Sequence, residues 1–196
     1  MSGRRIYLAS QSPRRIELLS RFIPEVIPCP AAIDEHAYAA DSPAVLTGIL
    51  ACAKADAAAA QSGRLPLHIP LIAADTLVEL DGKALGKPRD PEDAADMLSR
   101  LSGREHAVHT GVCVRYAGKR FFAVETTHVR FRKLDSDTIL RYIRTNEPSD
   151  KAGAYGIQGY GGVLVESIRG DYFNVVGLPL ARLDALLREA GADPLL

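Results

Sequence analysis

The chain has 196 residues, 47% hydrophobic and 24% charged, which suits one α/β domain, in two lobes around a cleft, long enough to bury a sizeable core. Its 24 Lys and Arg balance 24 Asp and Glu. That balance lacks the basic surplus with which duplex-binding proteins neutralise phosphates, so no nucleic-acid partner is expected.

Residues 5–9 read as a first strand that hands over to a helix at Ser10-Gln11-Ser12-Pro13. Ser12 suits the N-cap and Pro13 the first helical position, where its missing N–H costs nothing. Leu18, Leu19 and Phe22 give this helix its apolar side, and Pro24, Pro28 and Pro30 punctuate a short extended stretch and a loop. Ser42-Pro43 repeats the cap signal and opens a long, alanine-rich helix to about residue 60. Residues 63–70 read as a loop. Residues 71–74 form a short buried strand that ends at Asp75. A third helix starts at Asp90-Pro91, with Asp93 as a capping-box acid and Gly103 just past its end. Two β-rich runs follow, 106–116 and 120–130, with Gly118 at the turn between them. Residues 135–145 read as a helix, 152–162 as a glycine-rich loop, 163–168 as a strand and 178–190 as a closing helix. The order predicts an α/β fold with a twisted mixed sheet and flanking helices.

No apolar run approaches the roughly 20 residues of a bilayer span, and the apolar stretch after Arg4 and Arg5 is too short for a signal peptide. Cys29, Cys52 and Cys113 are far apart and show no CxxC spacing. They argue against a disulfide framework or a zinc site and for a reducing, cytoplasmic setting without a membrane partner.

The most informative segment is Ser10-Gln11-Ser12-Pro13-Arg14-Arg15, at the strand-to-helix handover. A helix N-terminus offers unpaired N–H groups and the positive end of the macrodipole, which suit phosphate. Serine hydroxyls and arginine side chains add donors and charge. Two arginines on a first turn run against the preference for acids there, which points to a compensating anion. A solvated pair of arginines after a simple Ser-Pro cap fits the same local pattern. GxxxxGK[ST] is absent, so this is no Walker loop.

Asp75, at a strand end, can hold Mg²⁺ or activate water, or simply cap a turn. Glu35 could supply a second carboxylate to the same cation. Lys54, alone in charge on a small, apolar helix, points either across the cleft or to solvent. Lys87 sits in the tight Gly86-Lys87-Pro88 turn. Gln158 could read a base edge through its amide. The five histidines show no metal-ligand spacing, and no chemistry is assigned to them.

Together these segments resemble the Maf family of nucleoside triphosphate pyrophosphatases. The resemblance rests on residues 10–15, Ala74-Asp75-Thr76, Gly86-Lys87-Pro88, Leu101-Ser102-Gly103 with Thr110-Gly111-Val112, the run 150–159 and Val175-Val176-Gly177-Leu178-Pro179, in family order and spacing. It covers nearly the whole chain, and implies one domain over 1–196 with an inosine-triphosphatase-like fold and a central cleft. It implies cleavage between the α and β phosphates. Asp75 matches the family's acidic catalytic residue, a proton acceptor, and Glu35 a family acid in the cleft. From the residue chemistry, a divalent cation, Mg²⁺ or Mn²⁺, is expected on Asp75 or Glu35. Ser10, Arg15, Lys54 and Lys87 match residues around the phosphates, with Ser12 beside them at the helix start. Arg14, Thr76 and Gln158 match the subgroup that prefers dTTP and UTP, where the 7-methyl-GTP subgroup tends to carry Trp, Gln and Glu. The family also suggests a homodimer. The competing reading is a nucleotide-binding regulator of septum formation, which needs the phosphate-binding residues but no water-activating acid. A purine-directed house-cleaning enzyme rests on fold analogy alone.

Overall fold

The computed structural model of the protein describes residues 4–61 and 65–196. Of the loop expected over 63–70, Gly63 and Arg64 lie outside the described residues. Among the described residues the chain forms β1 (Arg5–Leu8), α1 (Pro13–Ser20), β2 (Glu25–Pro28), α2 (Pro43–Gln61), β3 (Leu71–Leu80) and β4 (Lys83–Leu85). It continues through α3 (Pro91–Leu101), β5 (Glu105–Tyr116), β6 (Lys119–Phe131), α4 (Ser136–Ile143), β7 (Val165–Arg169), α5 (Tyr172–Val176) and α6 (Leu180–Ala190). One seven-stranded sheet runs β2-β1-β3-β5-β6-β7, with β4 attached to β3. β1 is parallel to both its neighbours and every other pairing is antiparallel. This is the mixed α/β fold expected from the sequence.

Period-2 alternation along β3 sorts the sheet into two faces. Leu71 and Ala73 pack under α2 with Ala51, Ala55 and Ala58, all buried. Ile72 and Ala74 point the other way, into a cluster with α1 and α6. Farther along that face, Val78 and Leu80 join a second cluster with α3, α4, Phe131 and Leu164. The two clusters are the cores of two lobes. α2 is long and apolar enough, by length and composition alone, to cross a membrane. Its small apolar face is instead laid on the sheet, so closely that a Cβ on Gly111 of β5 would stand 2.2 Å from the Thr47 carbonyl oxygen.

The cleft has a topological cause. β1 pairs with β3 only at Leu71 and Ile72, and β4 takes up the same edge only from Val78. Residues 73–77 have no strand neighbour on that side, whereas β5 follows β3 without a break on the other. A sheet edge left open between two lobes is a natural binding place in an α/β fold.

The cap signals are largely as the sequence indicates. Ser42 Oγ accepts from the Val45 N–H at 3.3 Å, and Asp90 Oδ1 from the Asp93 N–H at 2.7 Å. Asp93 reaches back to the Arg89 N–H at 3.0 Å, one residue earlier than a standard capping box. Ala117 and Gly118, both with positive φ, make the two-residue turn between β5 and β6.

Four expectations need correction. β3 does not end at Asp75 but continues to Leu80, because Thr76 to Leu80 keep the alternation and Lys54 of α2 offsets the acid's charge. The turn at Asp81-Gly82, with φ of 55° and 76°, returns the chain as β4, which the sequence reading left out. The last strand starts at Val165, after a 3₁₀ turn over Tyr160–Leu164. The closing helix starts at Leu180, and a separate short helix, α5, precedes it, ended by Gly177 with φ 112°.

Candidate active site

The cleft encloses about 930 Å³ and is lined by every residue expected at the site: Ser10, Ser12, Arg14, Arg15, Glu35, Lys54, Asp75, Thr76, Lys87 and Gln158. They come from both lobes and from both faces of β3.

On the α2 face, alternation turns Asp75 toward the helix that carries Lys54. The Asp75 side chain is buried, 9% exposed, and its Oδ1 pairs with the Lys54 ammonium. Lys54 Nζ also pairs with Glu35 Oε1 at 2.8 Å, bringing in the 3₁₀ turn Glu35–Ala37. The result is an acid–lysine–acid row in which the ammonium offsets a buried carboxylate that would otherwise be costly. Lys54 therefore points across the cleft and not to solvent. No group of three or more His, Cys, Asp or Glu that could hold a metal occurs among the described residues.

On the opposite face, Arg15 reaches from the first turn of α1. Its Nε donates to the Gly177 carbonyl at 2.7 Å, Nη1 to the Ala74 carbonyl at 2.7 Å and to Ser10 Oγ at 3.4 Å, and Nη2 to Thr76 Oγ1 at 3.0 Å. Burial pushes the guanidinium below its ordinary pKa, with Asp75 acting in the opposite sense. Arg15 thus ties α1, β3 and the end of α5 together at the open edge. Most of its donors are engaged within the protein, so it is a fixed charge more than a free clamp. Gly177 makes this possible. A Cβ there would sit 3.3 Å from Thr76 Oγ1, and its φ lies where side chains are strained.

Ser12 occupies the N-cap of α1, but its hydroxyl makes no cap bond. Instead Ser10 Oγ accepts from the Ser12 N–H at 3.1 Å. Arg14 stands one residue before Arg15 and bridges to the other lobe, 3.4 Å from Asp150 Oδ2. Asp150 also pairs with Lys151 at 2.7 Å, and these cations hold its carboxyl below the usual range against the opposing effect of burial. Lys87 is exposed on the loop after β4. That loop is pinned by the Gly153 N–H donating to the Gly86 carbonyl at 3.0 Å. Gln158 is exposed at the mouth of the glycine-rich segment.

The sequence reading gave no role to several residues that build this site. Asp150 lay in the quoted run without a partner to explain it. Glu147 holds the segment after Gln158, accepting from the Tyr160 N–H at 2.8 Å, the Gly161 N–H at 3.0 Å and the Tyr142 hydroxyl at 2.9 Å. Thr110 stands behind Thr76, their Oγ1 atoms 2.9 Å apart. The glycines around Glu147 were a usable signal; nothing local singles out Thr110 or Asp150.

The fold and the open-edged cleft define a two-lobed α/β protein of a known architecture. The Ham1 protein of Staphylococcus aureus has a similar fold, with a TM-score of 0.50 over 83% of this chain and 80% of that one, at 17% identity. The pattern described as Maf-like protein matches residues 5–190, and the chain belongs to the Maf family. It is 48% identical over 190 residues to a protein of Thermococcus kodakarensis, covering 97% of this chain and 98% of the relative. It is 51% identical over 187 residues to one from Symbiobacterium thermophilum, covering 95% and 94%. A Neisseria gonorrhoeae relative is 42% identical over 193 residues, covering 96% and 95%. All three are named dTTP/UTP pyrophosphatase.

Proposed function

We propose that the protein hydrolyses dTTP and UTP to the monophosphate and pyrophosphate. The observation that carries the chemistry is the buried Asp75 held by Lys54 at the open edge of β3, beside the N-terminus of α1. The relatives' shared name supports the pyrimidine substrates, as do Arg14, Thr76 and Gln158, which line the same cleft. A regulator that only binds nucleotide has no need of a buried, lysine-paired acid at this edge.

In the mechanism, the triphosphate lies along the cleft with its phosphates toward Ser10, Ser12 and the α1 N-terminus. Asp75 Oδ1 is taken by Lys54, and Oδ2 accepts the proton of the water that attacks the α-phosphorus. Lys54 and Lys87 neutralise the charge that grows on the departing pyrophosphate, and Arg15 adds a fixed positive charge beneath it. Arg14, Thr76 and Gln158 meet the nucleoside.

Asp75 and Glu35 are hard oxygen donors of the kind that would hold Mg²⁺ or Mn²⁺. In this structure both carboxylates are engaged by the Lys54 ammonium. A bound cation supplies further charge neutralisation on the phosphate oxygens. We place the enzyme in the cytoplasm, as a single unit that pairs into a homodimer, with neither nucleic acid nor membrane as a partner.

The test is pyrophosphate release from the common nucleoside triphosphates, with and without Mg²⁺ or Mn²⁺, by the wild type and Asp75→Asn. Metal-dependent turnover of dTTP and UTP above purines is expected, falling by roughly 10³-fold or more in a folded Asp75→Asn protein. Near-normal turnover by that variant would remove Asp75 from the chemistry. Absence of turnover by the folded wild type would favour the regulator.

A further inference from the structure

The hydrogen bonds behind Thr76 have a fixed direction. Thr110 is fully buried and faces Thr76 in the β3–β5 register. Its single hydroxyl proton goes to the backbone carbonyl of Asn174 at 3.0 Å, because a carbonyl only accepts. The 2.9 Å contact between Thr110 and Thr76 must therefore be made with the proton of Thr76. Arg15 Nη2, which can only donate, takes one lone pair of Thr76 Oγ1 at 3.0 Å. A hydroxyl has one proton and two lone pairs, so a single lone pair remains. Thr76 is partly exposed on the cleft wall, and that lone pair is what it has left to offer a ligand.

The far end of the chain is equally determined. Asn174 is fully buried, and its Nδ2 donates to the Val108 carbonyl at 2.9 Å and to Thr127 Oγ1 at 3.0 Å. Those bonds hold α5 on the sheet and aim the Asn174 carbonyl at Thr110. The order therefore runs from β6, through α5 and β5, to the edge of β3.

We propose that Thr110 is a positioning residue for base selection: it locks the Thr76 hydroxyl as an acceptor, so that Thr76 favours a pyrimidine whose N3 carries a proton. This rests on the dTTP and UTP reading above. Uracil and thymine carry N3–H, whereas cytosine has a lone pair at N3. An acceptor facing N3 bonds to the first two and meets the third lone pair to lone pair. A hydroxyl free to rotate would donate to cytosine instead and lose the distinction.

The experiment measures kcat/KM for UTP and CTP in the wild type, Thr110→Val, Thr110→Ser, Thr76→Val and the Thr76→Val/Thr110→Val double variant, with melting curves. Thr110→Val removes the acceptor for Thr76's proton, so the UTP-over-CTP ratio is expected to fall about 10-fold, mainly through KM. Thr110→Ser keeps the hydroxyl and the ratio. In the Thr76→Val background, Thr110→Val changes the ratio no further, an outcome that general loosening of the sheet would not give. A second measurement needs no variant: with the wild type, 3-deaza-UTP, which has C–H at position 3 and a hydroxyl at C4, falls toward CTP in kcat/KM, whereas 4-thio-UTP, which alters position 4 but keeps N3–H, stays near UTP. A wild-type preference for UTP that survives unchanged in folded Thr110→Val overturns the positioning role alone. Equal turnover of UTP and 3-deaza-UTP overturns the contact to N3. A wild type with no preference for UTP over CTP overturns both this inference and the substrate reading beneath it.

Discussion

His106 shows how a single buried group sets a property of the whole. It is 3% exposed, its Nε2 lies 2.8 Å from the Tyr155 hydroxyl, and it packs edge-on against the rings of Phe131 and Tyr155. Nδ1 is buried without a partner. Burial lowers the imidazole from 6.5 to about 4. Above pH 6.5 both folded and unfolded chains hold it neutral, and its burial carries no pH-dependent cost. As pH falls, the unfolded chain takes up a proton that the folded chain refuses until near its own value. Stability attributable to His106 is thus intact above the unfolded pKa and is lost as pH falls to about 4, by about 3 kcal/mol in all. Denaturant unfolding of the wild type and His106→Phe at pH 7 and pH 4 checks this. The variant should show a stability loss on acidification smaller by about that amount; parallel pH curves would mean the histidine titrates normally. The sequence reading assigns the histidines no chemistry; in the structure His106 packs against Phe131 and Tyr155.

At the scale of elements, the site depends on how closely α2 lies on the sheet. Lys54 reaches Asp75 because Gly111 of β5 lets the α2 backbone touch it. Gly111→Ala is expected to cost about 3 kcal/mol or more, since the obstructing atoms are backbone and no side chain can turn aside. Urea unfolding measures it, and a cost below about 0.5 kcal/mol would show that α2 slides freely. The same elements explain what was legible beforehand. Helix starts were readable from Ser42-Pro43, Asp90-Pro91 and Pro13, whose effects are local. The end of β3 was misread because a charged residue in a run of apolar ones resembles a strand end. Asp75 is tolerated inside the strand only through Lys54, a partner 21 positions away. α5 was missed because its five residues are too few for a periodic signal. The residues of the site were legible as a family pattern, and their meeting at one edge was not. That edge exists because β1 stops at Leu8, opposite Ile72, and antiparallel β4 ends at Leu85, opposite Val78, a feature of pairing that no local window carries. Thr110 and Asp150 were legible only as members of family segments, with no role of their own, for the same reason.

At the scale of the whole molecule, two cores share one face of the sheet while α2 covers the other, and the cleft is the seam between those two cores. The first lobe supplies the α1 N-terminus and Arg14, the second Lys87, Asp150 and Gln158, and β3 runs through both with Asp75 and Thr76 on opposite faces. Such a seam brings residues from both faces of one strand to a single cleft. The account stands on where water attacks. The most direct measurement is turnover of UTP in ¹⁸O-labelled water with mass analysis of the products. Attack at the α-phosphorus predicts UMP carrying one ¹⁸O and unlabelled pyrophosphate. UDP with orthophosphate, or label in pyrophosphate with none in UMP, would contradict it.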